Sequence, residues 1–189
     1  MNWQALFDGI LAAVAFGVVV LTAQSKPSLR MACTILGSAA ALGTLRFSGL
    51  LPLPALHQFV SMLGAGVGLP LLGIAVSQPT SAVATQRRYA WIFAVVAAVI
   101  CTVLVMVAQL KAWAAVCAVL SALTIVSAGI SRRQGKTTAA GLLILLALGA
   151  FAAKFQFGAL QPGDFLHIGL ALGLLLLMRS EPTYSKPSS

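Results

Sequence analysis

YAWIFAVVAAVICTVLVMVAQL, residues 89–110, runs for twenty-two positions without a charged side chain, and is bounded by Arg87 and Arg88 before it and Lys111 after it. As a helix with a rise of 1.5 Å per residue it would reach about 33 Å, enough for a hydrocarbon core roughly 30 Å thick. The stretch is apolar around its whole circumference, so it is no surface helix of a water-soluble domain, which would show one polar face. A barrel strand would alternate polar and apolar residues over about ten positions. This run is apolar on both parities. It is a membrane-spanning helix.

Working outward, the same pattern recurs along the chain. Further spans are expected at about Trp3–Ala23, Met31–Leu45, His57–Ser77, Ala112–Ile130, Thr137–Phe157 and Asp164–Met178. Short polar linkers separate them: Gln24–Arg30 with Pro27, a turn at Pro52 and Pro54, Gln78–Arg88, the lone Lys111, Arg132–Lys136, and Gly158–Gly163 with Pro162. Composition agrees, with 60% of residues apolar and 8% charged. A soluble domain carries roughly a quarter charged residues. The expectation is an all-α polytopic helix bundle of about seven transmembrane helices over residues 1–178, with a disordered tail over 179–189.

Charge placement predicts the orientation. Lys26, Arg30, Arg87, Arg88, Arg132, Arg133, Lys136, Arg179 and Lys186 fall on one side of such a bundle, and Arg46, Lys111 and Lys154 on the other. Basic residues concentrate on the cytoplasmic side, which places the N-terminus outside and the C-terminus inside. The net charge of +9 is scattered between spans, not aligned on one face, and so does not indicate a nucleic-acid partner. The first span has no basic residue before it, whereas a cleaved signal needs a positive n-region; a retained span is expected. Compactness and an Ala- and Leu-rich composition suggest a bacterial plasma (inner) membrane. The bilayer is the implied partner, with a second membrane protein or a further copy of the chain as candidates.

Small residues four apart mark close helix crossings: Gly64 and Gly68 with Gly66 between them, Gly169 and Gly173, and Gly37 with Ala41. Pro70 should kink the third span. Cys33, Cys101 and Cys117 lie inside apolar runs and fit no metal-binding spacing.

Chemistry-bearing residues are scarce, which makes their placement informative. Apart from Glu181 in the tail, the acids and imidazoles are Asp8, His57, Asp164 and His167. All four fall within about one turn of the outer boundary, a layer about 5–6 Å thick. Asp164 and His167, three apart, share a helix face. Arg46 and Lys154 sit at the same level. An ionisable residue inside a span costs roughly 2.5–3.5 kcal/mol on insertion scales, so it turns toward the bundle interior or water and finds a partner. We therefore expect Asp8, His57, Asp164 and His167 to converge on an outward-facing polar pocket, with Arg46 or Lys154 as counter-charge. Interface residues and ion pairs that fix helix order are the plainer account of the same positions. The leading functional expectation is a non-enzymatic binding or assembly protein. A metal site of His57, His167 and Asp164, activating water in a membrane lipid hydrolase, is the alternative. No HExxH, P-loop or Rossmann glycine pattern is present.

Seven spans, an external N-terminus, and histidine and aspartate near span ends resemble the superfamily that includes alkaline ceramidases and the progestin/adiponectin receptors. The resemblance covers the topology of the whole chain and few motif residues. In that family three histidines, two of them on the last helix, hold zinc beside an Asp and a Ser. Here the last helix carries Asp164-x2-His167, leaving His57 and His167 to match. The resemblance implies zinc as cofactor and lipid hydrolysis as activity.

Overall fold

A computed structural model describes residues 2–180. Seven helices are long and apolar enough to cross a membrane: α1 (Trp3–Leu21), α2 (Pro27–Phe47), α3 (Pro54–Ser77), α4 (Arg87–Val107), α5 (Trp113–Ser131), α6 (Gly135–Ala152) and α7 (Pro162–Ser180). The chain is thus a multi-pass helical membrane protein by length and composition. Among the described residues there is no strand beyond one isolated bridge between Phe157 and Leu160.

Three helices begin earlier than the apolar runs suggest, each for the same reason. Pro27, Pro54 and Pro162 occupy the first helical turn, where the missing N–H is no loss and the fixed φ favours the helix. Helix α6 ends earlier, at Ala152 instead of near Phe157. Lys154 adopts φ 52° there, and Gly158, at φ 59°, turns the chain back. At the other end of α7, Arg179 and Ser180 are helical, not part of a tail; the expected disordered tail otherwise lies outside the described residues. The α3–α4 loop contains one helical turn, Ala82–Thr85, capped by Ser81 Oγ, which accepts from the Ala84 N–H at 3.2 Å.

Pro70 acts through a π-turn. It follows the π-helical segment Gly64–Gly68, where the Leu69 N–H donates back to the Gly64 carbonyl. One residue is inserted just ahead of the position that cannot donate, which absorbs the break inside α3.

Packing closes six helices into a ring in the order α1, α2, α3, α5, α6, α7 and back to α1, with α4 outside against the π-turn of α3. Only 17% of the apolar window of α4 is buried, the least of the seven. Its large side chains Trp91, Val95, Val99 and Met106 are exposed, as a helix facing lipid requires. The marked glycines lie in crossings. A Cβ on Gly173 would meet Ile144 Cγ1 at 2.8 Å, one on Gly68 would meet Leu36 Cγ at 3.3 Å, and one on Gly169 would collide with Ala147. The pattern overlooks a further close crossing between α5 and α6, where a Cβ on Gly141 would lie 2.8 Å from the Val126 backbone nitrogen.

Candidate functional site

The buried face of α1 is Asp8, Leu11, Ala12, Ala15 and Val18. These positions recur every three or four residues, so the carboxylate continues the stripe that packs into the ring. In α7, Asp164 and His167 stand above buried Leu170, Ala171, Leu174 and Leu177 on an equivalent stripe. Because α1 packs against both α2 and α7, the periodicity of two separate helices directs their polar ends at each other.

At this end of the bundle four helix ends meet. Asn2 caps α1, accepting from the Gln4 N–H at 3.1 Å, and its side-chain amide also donates to the Phe47 carbonyl at the end of α2. Arg46, in the last turn of α2, faces His57, in the first turn of α3, with Nη1 3.0 Å from Nδ1. The guanidinium also lies 5.0 Å from the Phe47 ring centroid, and Phe47 packs edge-on against the His57 imidazole. A guanidinium can only donate, so this contact makes Nδ1 the acceptor and leaves the His57 proton on Nε2.

His57 Nε2 and the Asp8 carboxylate both come close to Gly43 of α2. A Cβ placed on Gly43 would lie 2.9 Å from Nε2 and closer still to Asp8 Oδ2. At the other carboxylate oxygen, His167 Nδ1 approaches Asp8 Oδ1 at 2.8 Å. Asp8 is 0% exposed and His167 about a fifth exposed. The approach is short, yet it is not aligned as a hydrogen bond: both Asp8 oxygens and His167 Nδ1 are buried without a hydrogen-bond partner. A buried carboxylate is tolerable when paired and fully hydrogen-bonded. Asp8 has the pairing and lacks the alignment, so it retains capacity for a further N–H or O–H donor.

Of the six candidate residues, the structure gathers Asp8, His57, His167 and Arg46. The partner of Arg46 is an imidazole, not the carboxylate expected for it. Asp164 shares the face of His167 and is buried, but one of its oxygens is committed locally: Oδ2 accepts from the Gln161 N–H at 2.7 Å. This is the backward reach of a first-turn acid to the residue ahead of its helix, favourable at the positive end of the dipole. Its Oδ1 has no partner. Lys154 does not join; it is exposed beyond α6 and takes part in no ion pair among the described residues. Gly43 is the participant that sequence reasoning missed. A glycine in α2 announces a close approach without saying to what.

A zinc site needs at least three protein ligands converging on one point. Among the described residues no group of three His, Cys, Asp or Glu is disposed to hold a metal ion. His57, His167 and Asp164, the metal site offered as the alternative reading, are therefore not arranged as a zinc ligand set. Compared with known proteins, the chain matches no family model, no curated protein and no solved structure.

Proposed function

We propose that this chain is a non-enzymatic binding protein of a bacterial plasma membrane, taking a small polar ligand at the Asp8–His57–His167 cluster on the outward-facing side. One observation carries the reading: a fully buried carboxylate lies close to imidazoles from two other helices, with neither oxygen in an aligned hydrogen bond. A ligand bearing ammonium or hydroxyl protons supplies the missing donors. Arg46 keeps His57 in the tautomer protonated on Nε2, the nitrogen nearer Gly43 and the carboxylate, and partly exposed His167 marks the side from which the site is reached. The outward orientation rests on nine basic residues on the opposite side against three on this one.

Thermal unfolding of the detergent-solubilised protein tests this. Ethanolamine, which has both ammonium and hydroxyl donors, should raise the melting temperature of the parent but not of Asp8→Asn. Tetramethylammonium, a cation without donors, should raise neither. An equal response of parent and variant to ethanolamine would move the site away from Asp8.

A further inference from the structure

The opposite end of the bundle holds a groove of about 630 Å3 between the α3–α4 loop and the α5–α6 turn, lined by Ser77, Gln78, Thr80, Ser81, Arg132 and Gln134. Arg132 forms one wall. Its Nη1 donates to the Val76 carbonyl and its Nη2 to the Ser77 carbonyl, each at 2.6 Å, which staples the end of α5 to the end of α3. Two of the five guanidinium N–H donors are used this way and the others are left over. Both acceptors are neutral, so the charge is not compensated.

Among the described residues no carboxylate compensates it either. The turns and helix starts at this end carry Arg87, Arg88, Arg133 and Lys136 besides Arg132, and the described residues contribute no carboxylate there; Asp8 and Asp164 lie at the far end. The helices that start here, α2, α4 and α6, have no side-chain cap and no acid in the first turn. Their positive dipole ends therefore add to the cationic field instead of offsetting it. Hydroxyl and amide groups in the groove complete a surface built from donors and positive charge. Its depth is also telling, because the ends of spanning helices lie among lipid headgroups.

We propose that this groove binds the phosphate headgroup of an anionic phospholipid, with Arg132 as the principal contact and Ser81 and Thr80 as hydroxyl donors. It is a site distinct from the Asp8 cluster, and either can stand without the other.

Native mass spectrometry of the full chain, loaded with phosphatidylglycerol or phosphatidylcholine, reads the binding directly. The parent should retain phosphatidylglycerol preferentially. Arg132→Gln should lower that retention roughly five-fold, the scale of one basic contact at a membrane surface. Because Arg132 also staples two helices, Thr80→Glu is the independent variant: it places a carboxylate in the groove, breaks no described side-chain bond, and should lower retention similarly. Lys154→Gln, at the other end, should change nothing. Equal retention of both lipids, or an unchanged Thr80→Glu protein, overturns the proposal. Displacement of phosphatidylglycerol by millimolar inorganic phosphate would overturn the headgroup assignment and leave a free-anion site instead.

Discussion

Asp8 Oδ1 lies 2.8 Å from His167 Nδ1, so a side chain from the first membrane span meets one from the last inside the bundle. The contact closes the ring of helices with a polar pair where lipid-facing packing alone would leave the order of helices weakly specified. Polar pairs in a low-dielectric setting are costly to halve: removing one partner of a buried pair typically costs about 3–5 kcal/mol, whereas removing both is far milder.

His167→Ala should therefore destabilise the protein strongly, by about 3 kcal/mol or more, because it strands a buried carboxylate. Adding Asp8→Asn should restore a large part of the loss. Unfolding of the four proteins of this double-mutant cycle, in one detergent, measures the coupling. Additive losses would mean that Asp8 and His167 do not interact.

Gly43→Ala should be disruptive out of proportion to one methyl group. Its Cβ would fall onto the Asp8 carboxylate and 2.9 Å from His57 Nε2. Overpacking of this kind costs about 1–3 kcal/mol. Gly17→Ala, with nothing within 4 Å of the added atom, is the matched control. Equal melting temperatures for the two variants would show that the carboxylate does not approach α2 closely.

The glycine crossings make a separate prediction. Gly68→Leu and Gly169→Leu should impair folding more than Gly163→Leu, since the first faces Leu36 and the second Ala147 across short gaps, while a Cβ on Gly163 has nothing within 4 Å. The fraction recovered as a monodisperse peak on size-exclusion chromatography reports the difference. Similar recovery for all three would place those glycines against lipid.

Orientation is tested by labelling in intact cells, in a background lacking Cys33, Cys101 and Cys117. Thr80→Cys and Arg133→Cys should resist an impermeant thiol reagent, and Ala159→Cys should react. Reversed labelling would put the Asp8 cluster on the cytoplasmic side.

Much of this architecture is legible in the sequence, and the reasons are physical. Seven charge-poor runs of membrane length admit one class of structure, because backbone groups in lipid must be satisfied within each segment. The preference of proline for the first helical position makes the starts at Pro27, Pro54 and Pro162 readable too, although the apolar runs alone put them at Met31, His57 and Asp164. The end of α6 was not readable, since Lys154 turns the chain through a left-handed conformation that apolar periodicity does not encode. For the site, depth and facing were readable: Asp8 continues a buried stripe of α1, and His167 one of α7. Lateral order was not. Nothing in the runs themselves says that α1 lies between α2 and α7, and so nothing distinguished Arg46, which reaches His57, from Lys154, which is exposed beyond the end of α6.

The central claim is that the Asp8 carboxylate holds a donor-bearing ligand, and native mass spectrometry with parallel elemental analysis tests it most directly. Protein purified in mild detergent should carry a small non-lipid adduct that is absent from Asp8→Asn, and no stoichiometric zinc. Identical adduct profiles for parent and variant, or one zinc ion per chain lost on the same substitution, would contradict the account.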